Sequence, residues 1–140
     1  MQSQMRVVLA DRDSASRSAL ALLLNSQADF QLVGEASEVA ELLAQIKSQA
    51  PDFVILDWDQ LGPRIELLLD LLDLFESPPK IVGLSVRPEN KEAASIAGLA
   101  GFAHKGEPPE QLLQILRNIS QASDDAQSHP SKPATELNNS

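Results

Sequence analysis

Five short apolar runs, each followed by a segment with helical spacing, limit what this 140-residue chain can fold into more than any other feature. The runs are Arg6–Ala10, Phe30–Ala36, Phe53–Asp57, Lys80–Ser85 and Gly101–His104. Between them the period changes to that of a helix. Ser14–Ser26 carries Leu20, Leu23 and Leu24 on one stripe, with Asp13 or Ser14 available as its cap. Glu38–Gln49 carries Val39, Leu42, Leu43 and Ile46, and Pro51 stops it. Arg64–Phe75 is a third helix, ended by Ser77-Pro78-Pro79, and Pro88–Gly98 is a short fourth one. Pro108-Pro109 opens a last helix reaching about Gln121, with Leu112, Leu113, Leu116 and Ile119 inward.

The runs are continuous rather than alternating. A strand of that kind has both faces covered, so the sheet is parallel and sandwiched by helices. The right-handed crossover rule makes it a doubly wound five-stranded parallel α/β sheet. The alternation predicts one domain over residues 5–121. From Ala122 to Ser140 the chain is polar, with two prolines and a single large aliphatic residue, Leu137, and is expected to be a disordered tail or the start of a linker.

Charge and cysteine content narrow the function classes. The formal net charge is −9, of which the tail holds −2. Direct nucleic-acid binding by this chain is disfavoured, because phosphate contacts need clustered Lys and Arg. No cysteine is present, so disulfides and thiolate metal sites are excluded. His104 and His129 are the only histidines, too few for a multi-histidine metal site. No apolar run reaches the roughly 20 residues of a membrane span, and no signal peptide is expected at the N-terminus. A cytoplasmic location fits these features.

In a doubly wound sheet the site lies beyond the carboxyl ends of the strands. The first strand delivers Asp11, Arg12 and Asp13 there, the third Asp57 and then Asp59, the fourth Ser85, and the fifth His104 and Lys105. The segment "LDWDQLG" around Asp57 and Asp59 admits three readings: a metal site, a nucleophilic carboxylate or a solvated strand end. Acid, hydroxyl and ammonium gathered from four segments favour chemistry over simple solvation. A carboxylate can attack phosphorus and form an acyl phosphate, with positioned donors and cations carrying the charge of the transferring group.

The set "VVLADRD", "PDFVILDWDQLG", "IVGLS" and "GLAGFAHKGEPPEQLLQIL" resembles, in order, the receiver domain of bacterial two-component response regulators. "LVGEAS" and "AGFAHKGEPPEQLL" are similar to the subfamily that often carries a helix-turn-helix output. The resemblance implies a flavodoxin-like (βα)5 fold and a phosphorelay role. It implies Asp57 as phosphoacceptor, Ser85 as switch hydroxyl, Lys105 as the pairing ammonium and Phe102 as an aromatic switch. It implies a magnesium site on Asp11 and Asp57. It also implies a sensor histidine kinase or phosphotransfer protein as donor, and a downstream protein or fused output domain as reader. No turnover enzyme is implied beyond self-phosphorylation from a phosphodonor.

Two positions depart from that pattern. The second acid of the family's first strand is Arg12 here, which cannot ligate a cation. Either Asp13 or Asp59 replaces the lost ligand, or Arg12 pairs with Asp57 or Asp59, or it turns to solvent. Magnesium binding is accordingly expected to be much weaker than is usual for the family. The loop after Asp57 reads Gln60-Leu61-Gly62 where Met-Pro-Gly is common. Arg12 keeps open an alternative, an atypical receiver that binds or dimerises without phosphorylation. Asp57-Trp58-Asp59 also keeps open a haloacid-dehalogenase-like phosphatase. Trp58 is expected to be half exposed, a possible partner contact, and His104 to be partly buried. The apolar residues of Arg64–Phe75 span roughly 220° of arc, either packed deeply or forming a protein surface such as a homodimer face.

Overall fold

A computed structural model describes residues 4–61 and 64–128, with side chains described as far as Ala122. Five parallel strands form one sheet: β1 (Met5–Ala10), β2 (Phe30–Ala36), β3 (Phe53–Asp57), β4 (Lys80–Ser85) and β5 (Gly101–His104). Their order is β2-β1-β3-β4-β5, the flavodoxin-like arrangement, with order reversing between β1 and β3. Among the described residues six α-helical segments connect and follow them: α1 (Ser14–Asn25), α2 (Val39–Gln49), α3 (Trp58–Leu61), α4 (Ile65–Leu72), α5 (Asn90–Ala97) and α6 (Pro109–Ser128). Among the described residues no helix is long and apolar enough to cross a membrane.

The continuous apolar strands feed two cores. Val7 and Leu9 of β1, with Phe53 and Ile55 of β3, pack under Leu24 of α1 and Leu112, Leu113 and Leu116 of α6. Their neighbours Val8, Ala10, Val54 and Leu56 point the other way, under Leu42 and Ile46 of α2 and Ile65, Leu68 and Leu72 of α4. The pleat sends successive side chains to opposite faces, so a strand covered on both sides must be apolar throughout.

Local chemistry sets the helix ends. Asp13 caps α1 by accepting from the Ala15 N–H at 3.2 Å. Ala50 ends α2 in the left-handed region, φ 47°, directly before Pro51.

Three segments differ from the sequence expectation. The chain enters a helical turn, α3, at the very end of β3, and the longer helix stops at Leu72 rather than Phe75. In α4 Ile65, Leu68 and Leu72 are buried, whereas Leu67 is 60% exposed and Leu74, just past the helix, is 81% exposed. The wide leucine arc is therefore neither wholly packed nor wholly surface. Trp58, expected half exposed, is only 8% exposed. The turn of α3 swings it back onto β4, where its Cβ faces Gly83, a position with no side chain to obstruct it.

The last helix continues to Ser128, beyond the expected end near Gln121. No Gly or Pro occurs between Glu110 and Ser128 to stop it, and Pro130 is the first such residue. Residues 122–128, expected as tail, thus extend α6, while 129–140, the rest of that tail, lie outside the described residues, as does Gly62 of the loop after Asp57.

Candidate functional site at the strand ends

Parallel pairing brings the polar residues together. Ala10 pairs with Leu56, Leu56 with Gly83, and Ser85 with His104. Asp11, Asp57, Ser85 and Lys105, each at or one residue past a strand end, consequently share one edge. Asp57 is 4% exposed and Ser85 is fully buried.

Lys105 is the centre of the cluster. Its ammonium donates to Asp57 Oδ2 at 3.0 Å and to Asp11 Oδ2 at 3.5 Å. Burial by itself would lower its pKa, but the hydrogen bond to Asp57 and the charges of Asp11 and Asp57 outweigh that and raise it above the ordinary lysine value. The remaining carboxylate oxygens have partners too. Asp57 Oδ1 accepts from the Asp59 N–H at 2.9 Å, and Asp11 Oδ1 accepts from the Asp13 N–H at 2.9 Å. The backbone of Lys105 is fixed as well, its N–H donating to the Ser85 carbonyl at 2.8 Å.

Asp59 turns away from Asp57. Its Oδ1 accepts the Ser85 hydroxyl proton at 2.6 Å, and its Oδ2 accepts the Val86 N–H at 3.0 Å. Burial opposes its ionised form, yet the Ser85 and Val86 hydrogen bonds and the charges of Lys105 and Arg87 outweigh burial and hold the carboxyl below the ordinary aspartate range. Asp13 is committed to capping α1. The Arg12 side chain is exposed and makes no ion pair or hydrogen bond among the described residues; only its backbone N–H is engaged, by Gln60 Oε1 at 2.8 Å. Of the three expectations for Arg12, the structure agrees with the turn to solvent.

The donor set bears on a cation. Among the described residues there is no group of three or more His, Asp or Glu side chains arranged to hold a metal. Asp11 and Asp57 converge, but the third acid is missing because Asp59 and Asp13 face elsewhere. The residues that would hold a divalent cation at this edge are Asp11 and Asp57.

Phe102 is half-buried against the core that contains Trp58 and Leu99. A Cβ added at Gly83 would lie at ordinary contact distance, 3.6 Å, from Phe102 Cδ1 but 2.8 Å from Leu99 Cδ2, so it is Leu99 that the glycine makes room for. His104 Nδ1 accepts from the Gly106 N–H at 3.2 Å, which leaves Nε2 as the protonated nitrogen, 2.9 Å from the Val86 carbonyl. His104 is thus a partly buried tie between the loops after β4 and β5.

Three contributors were not named as site residues from the sequence. Gln60 bridges Asp11 Oδ1, at 3.4 Å, and the Arg12 N–H. Arg17 donates to the Asp11 carbonyl at 2.6 Å while paired with Glu35. Asn90 reaches both Ser85 Oγ, at 3.1 Å, and Asp59 Oδ1, at 3.3 Å. The departure at Gln60 was a visible signal; Arg17 and Asn90 carry none, because their spacing from the site is meaningful only once α1 and α5 are in place.

No family model matches the chain. The oxygen regulatory protein NreC of Staphylococcus epidermidis is 28% identical over 121 residues, covering 84% of this chain and 55% of that protein. The transcriptional regulatory protein YxjL of Bacillus subtilis is 27% identical over 120 residues, covering 83% of this chain and 54% of that protein. The chain thus spans about half the length of the curated relatives it matches. Among solved structures, the receiver domain of the response regulator NarL from Mycobacterium tuberculosis superposes with a TM-score of 0.74 at 24% identity, covering 85% of this chain and 98% of that one. A chain from the complex of the CheA3 P1 domain with CheY6 of R. sphaeroides gives a TM-score of 0.71 at 21% identity, covering 85% and 98%. The chain thus has the fold of solved response-regulator receiver domains, and over the same segment its sequence is similar to bacterial regulatory proteins.

Proposed function

We propose that this receiver domain accepts a phosphoryl group on Asp57 and, in doing so, switches a protein-interaction surface. The observation that carries the reading is the Lys105 ammonium held 3.0 Å from Asp57 at the sheet edge where strand order reverses. A carboxylate oxygen of Asp57 attacks phosphorus; the new O–P bond forms as the bond to the leaving group breaks, and the leaving group keeps that electron pair. Lys105 then balances charge on the phosphoryl oxygens, as it does for the carboxylates in the unmodified state. The switch that follows is a population shift: the loops after β4 and β5 carry Ser85 and Lys105, and Phe102 packs beside them.

A phosphotransfer protein or histidine kinase is the donor in this reading. Support comes from the fold shared with a chain of the CheA3 P1–CheY6 complex. A downstream protein, or an output domain fused to a longer regulator, reads the changed surface; the relatives, of which the match covers about half, bear regulatory names. The reading carries a cytoplasmic location with it.

The experiment is phosphodonor treatment with acetyl phosphate of the wild type beside Asp57→Asn and Arg12→Asp. Stoichiometric, hydroxylamine-sensitive labelling that disappears in Asp57→Asn supports the assignment. Labelling that survives in Asp57→Asn, or none in the wild type and in Arg12→Asp, overturns it.

A further inference from the structure

The Ser85 hydroxyl has its full complement of hydrogen bonds. It donates its single proton to Asp59 at 2.6 Å and accepts from the Arg87 N–H at 2.9 Å and the Asn90 amide at 3.1 Å. It cannot donate to anything else without leaving Asp59. The same carboxylate holds the Val86 N–H at 3.0 Å and touches the Asn90 amide at 3.3 Å. Asn90 is the first residue of α5. The backbone N–H of Asp59 donates to Asp57 Oδ1 at 2.9 Å, so the residue that holds Ser85 is anchored by its main chain to the neighbouring acid.

We propose that Asp59 is an internal latch. Its carboxylate competes with a phosphoryl group on Asp57 for the Ser85 hydroxyl, and its release frees the first turn of α5 through Asn90; the inference rests on the reading of Asp57 as phosphoacceptor. One proton on Ser85 can serve only one anion. A phosphoryl group also brings further negative charge beside Asp59, and like charges at close range repel. The incoming group therefore both takes the hydroxyl and expels its present holder. Asp59 raises the threshold for switching and ties that threshold to α5. Asp59 is a positioning residue here, not a reacting one.

The test titrates wild type, Asp59→Ala, Asp59→Asn and Asn90→Ala with beryllofluoride at one fixed magnesium concentration, reading Trp58 emission. Asp59→Ala is expected to lower the half-saturating concentration roughly tenfold, the scale of one charge-assisted hydrogen bond no longer opposed. Asp59→Asn, which preserves shape and removes only charge, shifts the same way and stands in if the alanine variant does not fold. Asn90→Ala leaves the half-saturating concentration nearer wild type but raises amide exchange over Asn90–Ala97, as Asp59→Ala also does. A wild type that responds while Asp59→Ala and Asp59→Asn need equal or higher concentrations overturns the latch and leaves the phosphoacceptor reading intact. Absence of response in every variant overturns that reading, and the latch with it.

Discussion

Lys105 Nζ stands 3.0 Å from Asp57 and 3.5 Å from Asp11, so one ammonium serves two carboxylates that are both nearly buried. Removing the ammonium leaves two like charges facing each other away from water. Lys105→Met is expected to cost about 1–3 kcal/mol of stability. Asp57→Asn, which removes one of the two like charges, costs less than that or stabilises. Urea unfolding at neutral pH ranks the two variants, and an equal loss in both contradicts this account of the charge balance.

Arg12 has no side-chain partner among the described residues. Arg12→Asp is therefore expected to change stability by no more than about 0.5 kcal/mol. It adds a carboxylate beside Asp11 and should tighten magnesium binding on the order of 10-fold or more. Trp58, buried directly after Asp57, reports it by fluorescence titration. Unchanged half-saturation would mean that position 12 does not reach the cation.

Arg117 of α6 clasps Asp29 with two hydrogen bonds, 2.7 and 2.9 Å, and lies 5.4 Å from the centre of the Phe30 ring. The Arg117 hydrogen bond lowers the Asp29 pKa from its ordinary 3.8. A lowered folded-state value gives stability that is full above the ordinary value and lost as pH falls through the folded one. The pair is a third exposed, which limits it to about 1 kcal/mol. Asp29→Asn should trail the wild type by a constant amount from pH 7 to 5. The gap should close below about pH 4. A gap that widens on acidification contradicts the assignment.

Ala50 sits at φ 47° at the end of α2. A Cβ is disfavoured there, while glycine adds freedom to the unfolded chain. Ala50→Gly is expected to stabilise by up to about 1 kcal/mol, read as a rise in Tm.

Leu68 is buried and Leu74 is exposed on the same leucine-rich segment. Leu68→Ala should cost about 2–5 kcal/mol. Leu74→Ala should stay within about 0.5 kcal/mol. Denaturant midpoints separate the two.

Much of this molecule is legible in its one-dimensional pattern. The bounds of β2, β3, β4 and β5 coincide with the runs read from the sequence, most clearly for the inner strands β3 and β4, whose interiors are buried on both faces and so are apolar throughout. Asp11, Asp57, Ser85 and Lys105 are recoverable as a group for the same reason: parallel strands deliver all their carboxyl ends to one edge. The leucine-rich segment was less legible. With leucines on most faces, periodicity cannot say which of Leu67, Leu68 and Leu74 faces the sheet.

The residue types and strand ends thus determined the fold and the cast of the site, since burial and parallel pairing follow from local composition. The tertiary structure alone decided the partnerships: Ser85 with Asp59 rather than Asp57, Arg12 outward, and Trp58 folded back over Gly83. Those choices turn on hydrogen-bond geometry and free space between segments up to dozens of residues apart, which come into being only when the helices close over the sheet.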